Sequence, residues 1–458
     1  DTDNLVDACW SDRPEPRVEP ALLLGTAYTG DSASTKRTRI AAAISEQGAD
    51  AALVFAPDAI SWLLNIRGTD IPCLPVVQGL ALLENSGDMT LFVDPRRIPD
   101  GFESHVGAGV RVLPESSAAE SLGSFGGRKV LADPESANAW TQLMLEAGGA
   151  DLVPANDPVL IPKACKNRVE LSGARRAHLR DAVAEVRFLA WLDAEVEAGR
   201  LHDEATLSDQ LGQLRAAGQE FRDYSFDTIS AAGANAALCH YNHRNEEPAR
   251  LAMDSVYLFD SGGQYTDGTT DVTRTVAIGD PGDEVRKMFT LVLKGHIALA
   301  CARFPRGTSG THLDVLARQF LWGEGFDFDH GTGHGVGSFL SVHEGPQRIA
   351  KAHSAVELRP GMIVSNEPGY YRDGAFGIRC ENLVVVREAE RIAGDTPVLE
   401  FETLTLVPFD RRMLLTALLD SAEIRWLDSY HRRVAAAVGP LLQDADRAWL
   451  EQATRPLG

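Results

Sequence analysis

Five residues in the second half of the chain carry carboxylate or imidazole groups in settings suited to chemistry. Asp260 closes the apolar run SVYLFD, and Asp271 opens the run DVTRTVAIG after a turn rich in Gly and Thr. If the two runs pair as a hairpin, the carboxylates come close together. Like charges that close repel unless a cation neutralises them. His334 lies in HGTGHGVGSFLSVHEG together with His330 and His343, and the intervening glycines allow close backbone approach. Glu367 ends an apolar run in SNEPG, and Glu381 begins another in GIRCENLVVV, beside Arg379. Singly, each has an ordinary explanation: a turn Asp, a solvated edge Glu, a satisfied structural His. As a set, four carboxylates and one imidazole suit two divalent cations sharing bridging carboxylates. The oxygen-rich donors favour Mn2+, with Co2+, Fe2+ or Zn2+ as alternatives, over a structural thiolate site. Two such ions acidify a shared water and clamp a tetrahedral intermediate.

These groups need an α/β framework to hold them. Residues 1–35, with SDRPEPRVEP, read as an arm or linker. A first α/β domain is expected over 36–157. It has a helix from Thr35 to Gln47 and short apolar strands at 51–56, 80–85, 89–94 and 129–134. A Pro-punctuated crossing leads into the domain that holds the candidate residues, 158–409. A long helix should run from Val169 to Glu197, with Leu179, Val183, Val186 and Ala190 on one face and Gly199 as its stop. Thr206 to Asp209 reads as a capping box that opens the next helix. Strands are expected at 255–260, 271–279, 361–368 and 381–388, and helices at about 283–303 and 311–323. The tail, 410–458, is helical in pattern.

Charge and composition narrow the field. The chain has 458 residues, with 44 Lys+Arg against 65 Asp+Glu, a net charge of −21. That balance argues against nucleic acid or an anionic membrane surface as partner. No apolar run is long enough to span a bilayer, and DTDNLVDACW has no signal-peptide pattern. The six cysteines are scattered, none in a CxxC pair, which points to a reducing, cytoplasmic setting.

The order D260-x10-D271, HGTGHGVG, NEPG and GIRxEN resembles the pita-bread metallopeptidases: methionine aminopeptidase, prolidase and aminopeptidase P. The phrases IPKACKNRVELSGARRAHLRDAVA, DACWSDRPEP, WLLNIRGTDIPCLPV, HEGPQ, PGYYRDGAFGIRCEN and LTLVPFDRR are similar to three-domain aminopeptidase P, so the likeness spans nearly the whole chain. It implies an α/β (α+β) architecture: a noncatalytic creatinase-like domain, a pita-bread catalytic domain and a C-terminal extension. It also implies that the subgroup's first domain is missing here. The chain starts at Asp1 without Met, which fits an absent upstream portion.

By that resemblance Asp260, Asp271, His334, Glu367 and Glu381 are the metal ligands, with Asp271 and Glu381 bridging two ions. His240 lies near the leaving group. His330 and His343 contact substrate or stabilise the tetrahedral intermediate, and Glu367 doubles as general base. His243, Asp267, His296, His312 and His353 are left structural or solvated. The implied activity is hydrolysis of an N-terminal Xaa-Pro bond by a metal-bridging hydroxide, in a cytoplasmic homodimer. The bond before proline lacks an N–H, and the ring restricts φ, so a mechanism that needs neither is suited to it. The alternatives are a prolidase acting on Xaa-Pro dipeptides and a noncatalytic peptide- or protein-binding relative. Intact ligands disfavour the latter, and likewise a metal-free creatinase.

Overall fold

The computed structural model describes residues 5–390 and 393–457. The first four residues of the segment read as an arm therefore lie outside the described part. Backbone contacts divide the chain into two units, Asp1–Lys163 and Ala164–Gly458.

The first unit is built on six strands: β1 (Ala51–Val54), β2 (Leu80–Glu84), β3 (Met89–Phe92), β4 (Val110–Leu113), β5 (Lys129–Ala132) and β6 (Asp151–Pro154). Their spatial order is β4-β3-β2-β1-β5-β6. Antiparallel pairing joins β1 to β2 and β2 to β3, while β3/β4, β1/β5 and β5/β6 are parallel. All four residues of β1 are buried, so both faces of the strand are covered and it reads as an unbroken apolar run rather than an alternation. Helix α1 (Ala33–Glu46) begins two residues before the expected start, because the Ser32 hydroxyl accepts the Thr35 N–H at 3.1 Å.

The second unit opens with α2 (Arg168–Glu197). Asn167 caps it, and Glu170 returns a hydrogen bond to the cap residue's own N–H. Of the expected apolar face, Val186 and Ala190 are buried, while Leu179 and Val183 are only partly covered. The fully buried side of α2 also carries Asp181 and Glu185, since Arg215 of α3 (Glu204–Ala216) enters between them at 2.6 and 2.5 Å. The cap of α3 differs from expectation. Asp203, not Thr206, is the N-cap, and its carboxylate accepts the Thr206 N–H at 2.9 Å. Glu204 then starts the helix as a buried acceptor for the Ala232 and Ala249 N–H groups and the Tyr241 hydroxyl.

The strands that build the site come next. They are β7 (Ile229–Ala232), β8 (Ser255–Ser261), β9 (Val272–Ile278), β10 (Gly333–Gly335), β11 (Glu344–Ile349), β12 (Ile363–Asn366), β13 (Phe376–Arg379) and β14 (Asn382–Glu388). Strand β8 pairs antiparallel with both β7 and β9, as the hairpin reading requires. In a separate six-stranded sheet, β14, β12, β10 and β11 lie side by side. Helices α4 (Gly282–Ala300) and α5 (Gly310–Gly323) pack on each other. The first ends earlier than the periodicity predicts, because Arg303–Pro305 leaves the helix to form an edge strand. The tail contains α6 (Ser421–Val438) and α7 (Asp444–Ala453), preceded by short 3-10 turns.

Candidate metal centre and active site

Strand register brings the two aspartates together. Asp260 stands directly opposite Thr273 on the β8/β9 ladder. Side chains alternate along a strand, so Asp271, two residues before Thr273, shares the face of Asp260. Thr273 links these to the next element: its hydroxyl donates to Glu381 Oε2 at 2.7 Å, and its backbone carbonyl accepts the Glu381 N–H.

His334 arrives from the other sheet. A Cβ at Gly333 would stand 2.1 Å from the Ser365 carbonyl oxygen, and one at Gly335 2.1 Å from that of Glu344. The glycines flanking His334 therefore let β10 lie between β12 and β11 at a spacing that side chains would forbid. The His334 N–H donates to the Ser365 hydroxyl at 2.9 Å, and that hydroxyl donates to Glu367 Oε1 at 3.0 Å. His334 Nδ1 donates to the Gly335 carbonyl at 2.9 Å. This tautomer leaves Nε2 facing Asp271 Oδ2 and Glu367 Oε1, each at 3.4 Å.

One donor atom each from Asp271, His334 and Glu381 lies within 4.8 Å of the others. All five ligand candidates line one cavity of about 760 Å³, and His240, His330, His343 and Arg379 line it too. Asp260 Oδ1 and Glu381 Oε1 are buried with no hydrogen-bond partner among the described residues. Carboxylate oxygens are rarely left so, and a cation is the partner this donor set fits.

The electrostatics of these groups agree with a cation-binding role. Burial pushes the Asp271 carboxyl up to about 6, with Asp260 adding to the effect and His334 opposing it. Burial also carries Glu367 up to about 7, against the pull of His334 and Arg379. Glu381 rises well above the carboxylate range through burial and then through the charges of Asp271, Asp260 and Glu367. Burial opposes charging of His334, but Asp271 and Glu367 together lift it to about 9.

Three further histidines divide by environment. His330 Nδ1 donates to the Gly331 carbonyl at 2.7 Å, so Nε2 accepts from the Tyr371 hydroxyl at 2.8 Å. Both ring nitrogens are thus engaged, and burial lowers the pKa to about 4. His343 packs edge-on to His334 with ring centroids 4.1 Å apart, and burial followed by the His334 charge lowers it to about 4. His240 is exposed on the cavity wall. Among the histidines left structural, His296 is buried and its Nδ1 contacts the Asn366 and Cys380 carbonyl oxygens.

Two residues were not singled out from sequence. Arg379 donates to Asp260 Oδ2 at 2.6 Å, to the Thr273 hydroxyl at 3.1 Å and to the Tyr371 hydroxyl at 2.8 Å. Tyr371 passes that contact on to His330. The available signal was the Arg two residues before Glu381 in GIRCEN, since an i, i+2 pair at a strand end can serve one site.

A cavity whose ligand candidates are four carboxylates and one imidazole, on paired antiparallel strands flanked by helices, defines a metal-dependent hydrolase. The chain belongs to metallopeptidase family M24, whose model matches residues 172–388. Residues 12–170 match the creatinase/prolidase N-terminal domain, and residues 397–457 the C-terminal region of peptidase M24. The chain is 40% identical over 477 residues to a probable Xaa-Pro aminopeptidase P of Tuber melanosporum, covering 99% of this chain and 77% of that one. It is 38% identical to aminopeptidase P1 of Arabidopsis thaliana, covering 100% of this chain and 78% of the relative. The crystal structure of X-prolyl aminopeptidase from Caenorhabditis elegans, a cytosolic enzyme with a di-nuclear active site, superimposes with a TM-score of 0.94. It is 37% identical, over 99% of this chain and 76% of that one.

Proposed function

We propose that the chain is a metal-dependent aminopeptidase that hydrolyses the bond between an N-terminal residue and a proline in second position. The observation that carries it is the convergence of Asp260, Asp271, His334, Glu367 and Glu381 on one cavity, with two buried carboxylate oxygens lacking partners among the described residues. The Xaa-Pro specificity is supported by relatives 38–40% identical over nearly the whole chain. These five residues would hold two divalent ions. Mn2+ is the proposed occupant, because oxygen donors outnumber the single imidazole. Bound there, the ions supply Lewis acidity toward the carbonyl and toward a shared water.

The protein's own groups do the rest. Glu367 takes the proton of the attacking water and delivers it to the proline nitrogen as the bond breaks. His343, whose ring makes no hydrogen bond to the described residues, donates to the carbonyl oxygen as it gains charge. His330, committed through Tyr371 to Arg379, shapes the wall beside it, and His240 lies on the leaving-group side. A cytoplasmic location and a homodimer belong to the same reading. In support of the first, the similar enzyme from Caenorhabditis elegans is described as cytosolic.

The test is product release from a matched Xaa-Pro dipeptide, Xaa-Pro-Pro tripeptide and pentapeptide at saturating Mn2+. The first bond of the longer peptides should be cleaved faster than the dipeptide. N-acetylated peptides should be inert, and Xaa-Ala analogues much slower. Cleavage confined to the dipeptide moves the assignment to prolidase, and no cleavage of any member favours a binding protein.

A further inference from the structure

The cavity that holds the acidic centre also has an arginine on its wall. Arg348 lies on β11 directly opposite His334 of β10 in the antiparallel ladder. Directly opposed residues project to the same face of a sheet, so Arg348 rises beside the metal-binding imidazole, and it lines the cavity. Its one hydrogen bond to the described residues is from Nη2 to the His353 carbonyl, at 2.9 Å. No carboxylate among the described residues pairs with it, although the chain carries 65 acidic residues against 44 basic ones. The other basic groups on that wall are spoken for. Arg318 is held by Asp314 and Asp327, and Lys351 by Asp327. Asp227 and Asp329 also line the cavity, and Asp227 faces Arg244.

An acidic floor with one unpaired guanidinium at its side matches the polarity of a peptide. The amino end of a substrate meets the carboxylates, and the scissile bond lies one residue further on. The C-terminal carboxylate of a peptide, and any acidic side chain after proline, therefore lie on the leaving side of that bond. A guanidinium offers several N–H donors in a fixed fork that fits a carboxylate. We infer that Arg348 is a specificity-determining residue that binds a carboxylate on the leaving-group side of the scissile bond. That carboxylate is either the C-terminus of a short peptide or an acidic side chain after proline. This inference rests on the aminopeptidase reading above.

The test compares two substrate pairs on metal-loaded wild type, Arg348→Gln and Arg348→Lys. The first pair is Xaa-Pro-Pro and its C-terminal amide, which reports on the chain terminus. The second is Xaa-Pro-Asp-amide and Xaa-Pro-Asn-amide, which reports on a side chain. In wild type the charged member of at least one pair should be preferred about three- to fivefold in kcat/KM, as expected for a partly exposed ion pair. The difference should reside in KM and shrink with added salt. Arg348→Gln should bring the ratio close to one, and Arg348→Lys should keep part of it. Calorimetric binding of the leaving product Pro-Pro against Pro-Pro-amide decides the same point without turnover: wild type should prefer the acid and Arg348→Gln should not. Equal handling of both pairs by wild type, or a preference that survives Arg348→Gln, overturns the assignment. Failure to cleave any of the four peptides, with the Pro-Pro preference present and lost in Arg348→Gln, overturns the aminopeptidase reading and leaves the carboxylate site standing.

Discussion

Arg379 and Asp260 form a 2.6 Å ion pair in which the side chains are only 4% and 11% exposed. The guanidinium is a fixed cation among the carboxylates of the pocket, and it reaches Thr273 and Tyr371 from the same position. Removing one member of a buried pair leaves the other uncompensated and typically costs about 3–5 kcal/mol. Arg379→Met should lower the free energy of unfolding by about that much, read from denaturant midpoints at constant slope. A midpoint equal to wild type would show that Asp260 has another neutralising partner.

Metal and proton compete for the same carboxylates. Asp271 and Glu367 titrate near 6 and 7 in the folded, metal-free chain, above their ordinary range. A raised folded pKa contributes stability that is complete below the unfolded pKa and is lost as pH rises through the folded value. Chelated protein should therefore lose Tm steadily between about pH 4 and pH 7. Metal-loaded protein should resist that loss, gaining about 2.7 kcal/mol at a metal concentration a hundredfold above Kd. Parallel Tm–pH curves with and without chelator would contradict the site.

Ligand and non-ligand histidines should separate in metal content. His334→Ala and Asp271→Asn should each lose metal, measured by elemental analysis of dialysed protein. A neutral amide lacks the charge with which a carboxylate holds a cation. His343→Ala should keep its metal and lose about 10²–10³ in kcat, the usual cost of one preorganised donor at a developing oxyanion. Equal metal loss in His334→Ala and His343→Ala would dissolve the distinction.

Acid should act through a histidine far in sequence from the site residues. His431 is buried on α6, and its Nε2 accepts the Phe409 N–H at 3.2 Å. Burial, with Arg274 and Arg411 adding, holds its pKa down to about 3. The folded chain therefore keeps this imidazole neutral while the unfolded chain protonates it below about 6.5. Stability is lost as pH falls from 6.5 toward 3, by about 1.4 kcal/mol per pH unit for one such group. His431→Gln should have a shallower acid limb in ΔG against pH than wild type. Identical slopes would place the acid sensitivity elsewhere.

Much of the molecule was legible in the chain itself. The alternation of apolar strands and 3.6-period helices located β1, β2, β3, β5, α2, α4 and α5, because burial imposes those periods on composition. The order of the acidic and imidazole residues, and the glycines on either side of His334, marked one region as a metal site. Glycine is the residue that lets β10 approach the Ser365 and Glu344 carbonyls. Periodicity, however, reports only which side of an element is apolar. It missed that α2 buries Asp181 and Glu185, since their burial depends on Arg215 arriving from another helix. It chose Thr206 over Asp203 as a cap, since both residues can cap and only the buried partners of Glu204 decide between them. The pairing of Arg379 with Asp260, the place of Arg348 beside His334 and the double commitment of His330 come from sheet register and side-chain direction. Those are set by contacts between residues far apart in sequence, and only the tertiary structure decided them.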